Sequence, residues 1–199
     1  MEEKMEPIIL ASASPRRQEI LKLMNIPFAV KPADIDETVP SDIDILKASE
    51  FLAAKKVEAV IQGLSPNQEL DWVLGADTTV ILDGIIYGKP KDQNEAFQII
   101  KALQGNTHTV ATGIALYNGK LHDLSTRNSI NKVTFAPMTD EEINWYLETA
   151  EWHGAAGAYR IQGLGSCFIK SIEGTDSSIM GLPIFELYDI LREQNYKFE

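Results

Sequence analysis

Trp72-Val73-Leu74-Gly75-Ala76-Asp77-Thr78-Thr79-Val80-Ile81-Leu82-Asp83-Gly84-Ile85-Ile86-Tyr87 is the stretch on which the fold turns. Trp72-Val73-Leu74 reads as a hydrophobic strand feeding into Asp77, which places that carboxylate at a strand end. Thr79 to Leu82 and Ile85 to Tyr87, joined by Asp83-Gly84, read as a β-hairpin, because Asp-Gly suits the positive φ angles of a type I′ turn. Before this stretch strands and helices alternate. Ile8-Ile9-Leu10-Ala11 is a short buried strand, and Ser14-Pro15 starts a helix, since Ser caps free amides and Pro tolerates the first helical position. That helix carries Ile20, Leu21, Leu23 and Met24 before Asn25 and Pro27 end it. Phe28-Ala29-Val30 is a second strand. A long helix from about Asp42 to Gln62 presents Leu46, Ser49, Ala53, Val57 and Val60 along one face.

After the stretch hairpins dominate. Asp92 and Glu95 form a capping-box-like start to a helix ending near Gly105. Thr109 to Tyr117, Asn118-Gly119 and Lys120 to Ala136 read as two or three antiparallel strands. Thr139 with Glu142 caps a helix that turns Ile143, Tyr146 and Leu147 inward. Ser166 to Ile172 is a strand and Pro183 to Glu193 a closing helix. The mixture predicts an α/β fold, a mixed β-sheet with flanking helices. Gly63-Leu64-Ser65-Pro66-Asn67 is a loop too short for a domain linker, so residues 1–199 are expected to form one domain, or two lobes sharing a core.

Composition narrows the function classes. The net charge of −11 argues against a protein that tracks DNA or RNA, where basic stripes neutralise phosphates. It leaves room for a small anionic ligand held in a local pocket of cations. No apolar run approaches the roughly 20 residues that span a membrane. The acidic start Met1-Glu2-Glu3-Lys4-Met5-Glu6 lacks the layout of a secretory signal. A single cysteine, Cys167, fits a reducing compartment, and a cytoplasmic protein is the expectation. Cys167 itself sits in an apolar run and reads as a buried structural thiol.

Three segments could carry chemistry. Ser12-Ala13-Ser14-Pro15-Arg16-Arg17 joins the first strand to the first helix, where free N–H groups favour an anion. Two arginines are electrostatically misplaced there unless they share a phosphate with the helix end; the alternative is a capped surface helix with solvated arginines. Asp77 is preceded by Gly75 and Ala76, small residues that let a ligand approach the backbone. A carboxylate there can bind a metal or take a proton from water, or it can cap a turn. Ile35-Asp36-Glu37 supplies carboxylates, and Lys55-Lys56 and Gly88-Lys89-Pro90 supply cations, with Lys89 the best placed. His108, His122 and His153 share no metal-ligand spacing. Residues alone reach a phosphate-handling enzyme.

Taken in order, Leu10-Ala11-Ser12-Ala13-Ser14-Pro15-Arg16-Arg17, Gly75-Ala76-Asp77-Thr78, Gly88-Lys89-Pro90, Ala156-Gly157-Ala158-Tyr159, Ile161-Gln162-Gly163 and Gly181-Leu182-Pro183 resemble the Maf family of nucleoside triphosphate pyrophosphatases across nearly the whole chain. The resemblance implies an α/β architecture with a central cleft, related to inosine triphosphate pyrophosphatases. It also implies hydrolysis of a nucleoside triphosphate between the α and β phosphates, a divalent cation (Mg, Mn or Co), and a homodimer. It makes Asp77 the proton acceptor, places Ser12, Arg16, Arg17, Lys56, Lys89, Thr78 and Gln162 at the substrate, and makes Glu37 and Asp77 the expected metal ligands.

Members favouring dTTP and UTP look like this chain at Arg16, Thr78 and Gln162, whereas members favouring 7-methyl-GTP carry Trp, Glu and Glu. The neutral amide of Gln162 can donate and accept, matching the mixed edge of thymine or uracil, while a cationic methylated guanine suits a carboxylate and an aromatic platform. The expected substrates are therefore dTTP and UTP, with modified pyrimidine triphosphates beside them. The alternatives are a pyrophosphatase for 7-methyl-GTP or another noncanonical nucleotide, and a non-catalytic nucleotide-binding regulator of cell division. Two positions depart from the family: Ala155 stands where many members have Lys, and Arg160 where Gly is usual, an exchange that reads as compensation of one cation by another.

Overall fold

The computed structural model describes residues 5–63 and 72–198; the loop expected beyond Gly63 and most of the acidic start lie outside them. Among the described residues, thirteen strands and α-helices follow in chain order: β1 (Ile8–Leu10), α1 (Pro15–Leu23), β2 (Phe28–Val30), α2 (Ala48–Gln62), β3 (Trp72–Leu82), β4 (Ile85–Tyr87), α3 (Gln93–Leu103), β5 (Thr107–Asn118), β6 (Asp123–Phe135), α4 (Asp140–Glu148), β7 (Ile169–Glu173), α5 (Asp176–Met180) and α6 (Ile184–Glu193). The strands form a sheet of order β2-β1-β3-β5-β6-β7, with β4 paired to β3. β1 runs parallel to both β2 and β3, Ile8 facing Phe28 on one side and Trp72 on the other. β3 with β4 and β6 with β7 are antiparallel. The mixed α/β sheet read from the sequence is the one observed. Asp83 (φ 50°) and Gly84 (φ 76°) both take the left-handed conformation that a type I′ turn demands.

Local chemistry sets most boundaries. Thr139 and Glu142 form the full reciprocal capping box, and α4 buries Ile143, Tyr146 and Leu147 as its spacing predicts. At α3 only half of the expected box is present: Asp92 accepts from Glu95 N, but the Glu95 carboxylate accepts from Lys91 N instead of Asp92 N. The helix expected from Asp42 begins at Ala48, because Asp44 accepts from Leu46 N and winds Ile45–Lys47 into a 3-10 turn. Leu46 consequently leaves the buried face. The stretch expected to hold two or three strands forms two, β5 and β6: Asn118 Oδ1 accepts from the backbone of Lys120 and Leu121 and holds them in the turn that joins the pair. The strand expected from Ser166 starts at Ile169, and Leu164–Phe168 is a 3-10 helix. Cys167 is exposed there, which corrects its reading as a buried thiol.

The chain divides into two compact units. The first comprises Met1–Asp77, Thr112–Ser129 and Gly181–Glu199; the second comprises Thr78–Ala111 and Ile130–Met180. In the first, α2 lies on the sheet through two glycines. A Cβ on Gly75 of β3 would stand 2.3 Å from the Ala53 carbonyl oxygen, and one on Gly113 of β5 would stand 2.2 Å from Glu50 N. Around this contact Ala11, Ala53, Val57, Val60, Val73 and Ala115 form an apolar core. The second unit has its own core, including Val80, Ile100, Leu103, Phe135, Tyr146 and Tyr159. Burying a side chain of this size contributes about 1.5–3 kcal/mol before chain entropy is counted. Among the described residues no helix is long and apolar enough to cross a membrane.

Candidate functional site

The close approach of α2 to β3 explains the central ion pair. In a strand, residues two apart share a face, and in a helix, residues three apart do. Gly75 and Asp77 are two apart on β3; Ala53 and Lys56 are three apart on α2. The Gly75–Ala53 contact therefore brings Lys56 Nζ to Asp77 Oδ1, at 2.5 Å. Asp77 lies within β3 rather than at its end, and is 9% exposed. That excludes the turn-capping alternative. Gly75 is small for α2 and not for a ligand, a correction to its sequence reading.

Lys56 Nζ also meets Glu37 Oε1 at 2.9 Å. Glu37 sits in a loop shaped by its neighbour: Asp36 accepts from Thr38 N and Thr38 Oγ1, an Asx turn. Lys55 Nζ donates to the Asp36 carbonyl at 2.7 Å. The consecutive lysines thus have separate jobs, Lys55 fixing the loop backbone and Lys56 joining the two carboxylates. Lys55 escaped sequence reasoning as more than a solvated cation, because its acceptor is a backbone group distant in sequence.

Of the two arginines, Arg17 is buried and Arg16 half-buried. Arg17 Nη1 donates to Ser12 Oγ at 2.7 Å and Nε donates to the Gly181 carbonyl at 2.8 Å. Ser12 Oγ also accepts from Ser14 N. Ser14 makes no side-chain cap of its own, although Pro15 opens α1 as expected. Burial pushes the Arg17 guanidinium below its ordinary pKa; Asp77 and Glu37 pull the other way. An arginine stays charged even so. Gly181 has φ 113°, a conformation that L side chains rarely adopt, so the carbonyl that orients Arg17 depends on a glycine. Ser12, Arg17, Glu37, Lys56 and Asp77 thus belong to one linked set in the first unit.

Thr78, Lys89 and Gln162 belong to the second unit. Thr78 is half-buried, while Lys89 and Gln162 are exposed. Gly157 N donates to the Gly88 carbonyl, which joins the Gly88-Lys89-Pro90 and Ala156-Gly157-Ala158-Tyr159 segments. Gly157 (φ 70°) sits so near Val80 that a Cβ would lie 2.9 Å from its Cγ2. Tyr159 anchors the segment through its hydroxyl on His108 Nε2, at 2.8 Å. The Arg160 guanidinium donates to the His153 carbonyl at 2.8 Å, beside the buried Ala155.

Glu37 and Asp77 offer two hard carboxylate oxygens around one ammonium. Among the described residues no group of three or more His, Cys, Asp or Glu could hold an ion alone. Such a pair fits a cation that takes one or two carboxylates and completes its shell with water and substrate phosphates, as Mg²⁺ does.

Residues 7–194 match the family model described as Maf-like protein. A dTTP/UTP pyrophosphatase of Treponema denticola is 40% identical, covering 97% of this chain and 99% of its own. One from Desulforamulus reducens is 43% identical over 94% of this chain and 96% of its own. One from Neisseria gonorrhoeae is 40% identical over 97% and 96%. Among solved structures, the Staphylococcus aureus Ham1 protein is similar with a TM-score of 0.48 and 16% identity, over 66% of this chain and 72% of that one. With the family model spanning nearly its whole length, this chain belongs to the Maf family.

Proposed function

We propose that the chain is a nucleoside triphosphate pyrophosphatase that hydrolyses dTTP and UTP to the nucleoside monophosphate and pyrophosphate. The observation that carries this reading is the buried Asp77 carboxylate, held through Oδ1 by Lys56. The names of the near-full-length relatives support it.

Water attacks the α-phosphorus while Asp77 accepts its proton. The bond from that phosphorus to the α–β bridging oxygen breaks, and pyrophosphate leaves with the electron pair. Lys56 holds Asp77 in place, and Arg17, itself fixed by Ser12 and Gly181, offers fixed positive charge to the phosphates. Lys89 is the proposed partner of the leaving group. A divalent cation held by Glu37 and Asp77 would supply further neutralisation of the phosphate oxygens. Arg16, Thr78 and Gln162 are the proposed base-selecting residues, with the Gln162 amide reading the mixed edge of thymine or uracil.

A nucleotide panel assayed for pyrophosphate in Mg²⁺, Mn²⁺ and Co²⁺ tests this. The expected outcome is fastest release from dTTP and UTP, dependent on the cation. Much faster turnover of 7-methyl-GTP than of dTTP would overturn the substrate assignment. Tight nucleotide binding without release in any cation would favour a regulator.

A further inference from the structure

Glu151 lies outside the catalytic set, yet it grips the loop that carries Gln162. Its Oε1 accepts from Leu164 N at 3.0 Å and its Oε2 from Gly165 N at 3.4 Å. These are the first two residues of the 3-10 helix Leu164–Phe168. The fit is close: a Cβ on Gly163 would stand 2.4 Å from Glu151 Oε2, so a larger residue there would displace the carboxylate from this position. The loop is also closed upon itself. Gly163 N donates to the Arg160 carbonyl, and both Ser166 N and Ser166 Oγ donate to the Gly163 carbonyl. A Cβ on Gly165 would lie 2.6 Å from the Arg160 carbonyl oxygen.

Glu151 is itself fixed. Its N–H donates to Thr149 Oγ1, Thr149 Oγ1 donates to the Tyr146 carbonyl near the end of α4, and the buried Trp152 donates through Nε1 to the Leu147 carbonyl. From the same turn the His153 carbonyl accepts from Arg160 Nη2. Two charge-bearing side chains thus tie residues 160–165 to the segment that follows α4, one from each direction. Gln162 is exposed between these ties. An exposed side chain discriminates between bases only where its backbone is held, because positional freedom blurs donor–acceptor matching.

We propose that Glu151 is a positioning residue for base selection: clamped on the N–H groups of Leu164 and Gly165, its carboxylate sets the stance of Gln162 toward the nucleobase. This rests on the reading of Gln162 as a base-contacting residue of a dTTP/UTP pyrophosphatase. The Arg160 side chain serves the same loop from the other side, which gives that departure a role apart from compensating for the lysine replaced by Ala155.

The test measures KM and kcat for dTTP, UTP, dCTP and GTP in the wild type, Glu151→Gln and Glu151→Ala, with thermal midpoints alongside. Ala removes both acceptors and Gln leaves one. The expected result is a rise in KM for dTTP and UTP of about tenfold in Ala and less in Gln, with kcat within about twofold. The preference for dTTP over dCTP should fall in the same order. Should Glu151→Ala not fold, Glu151→Gln decides. An unchanged dTTP-to-dCTP preference overturns the proposal, as does a loss of kcat equal for every nucleotide, the mark of a merely structural role. A wild-type chain that releases no pyrophosphate from dTTP or UTP overturns instead the function on which the proposal rests.

Discussion

Lys56 is the residue on which the charges of the site converge, since its ammonium joins Asp77 and Glu37 while its own side chain is 8% exposed. Replacing it by Met keeps most of the unbranched stem and removes the charge. Two acidic groups are then left together without their counter-ion, one of them buried, a costly arrangement. Lys56→Met is expected to lower kcat/KM for dTTP by about a hundredfold or more, read in steady-state kinetics on protein shown by circular dichroism to be folded. Arg17 makes a different demand. Its planar fork reaches Ser12 and the Gly181 carbonyl at once, and a lysine at that position cannot reproduce both bonds. Arg17→Lys should raise KM by about tenfold although the charge is kept; an unchanged KM would mean that only charge matters there.

At the scale of elements, α2 on β3 decides whether the site exists. Gly75→Ala would drive a Cβ into the Ala53 backbone, and backbone cannot yield as a side-chain tip can. The expected cost is about 1–3 kcal/mol in a denaturant titration, with a larger loss of activity because Lys56 moves with the helix. The pieces of this arrangement differ in how legible they are in the sequence. The hairpin at Asp83-Gly84 and the box at Thr139 and Glu142 are read correctly because local chemistry suffices for each. Asp77, Glu37, Lys56 and Arg17 are readable as candidates, but not their linkage, which arises from the packing of α2 on β3 and from a bond between residues as distant as Arg17 and Gly181. Asp77 reads as a strand end because the hydrophobic run stops at Leu74 and the small Gly75 and Ala76 follow; in the fold Gly75 is what lets the strand continue beneath a helix. The 3-10 helix that exposes Cys167 is hidden for the same reason, since the Glu151 carboxylate that stabilises it lies thirteen residues before Leu164.

For the molecule as a whole, stability is expected to depend on pH through His108. Burial lowers its pKa from 6.5 to about 4, with Nε2 on the Tyr159 hydroxyl and the ring edge-on to Phe135 and Tyr159. The folded state therefore keeps the ring neutral while the unfolded chain protonates it near 6.5, so this stabilisation is present above that pH and is lost as pH falls toward 4. Between pH 7.5 and 5 the loss from this group is about 2 kcal/mol. His108→Phe should flatten the stability profile by that amount over that interval, whatever constant cost it adds through the Tyr159 hydroxyl. Activity is the property of the whole molecule that bears most directly on the proposed role of Asp77, activation of the water that releases pyrophosphate. The decisive measurement is product analysis of dTTP hydrolysis by the wild type and by Asp77→Asn, with Mg²⁺, on protein of verified fold. Water activation by Asp77 predicts dTMP and pyrophosphate from the wild type and a rate at least about a hundredfold lower from Asp77→Asn; release of inorganic phosphate and dTDP, or an Asp77→Asn rate near that of the wild type, would contradict it.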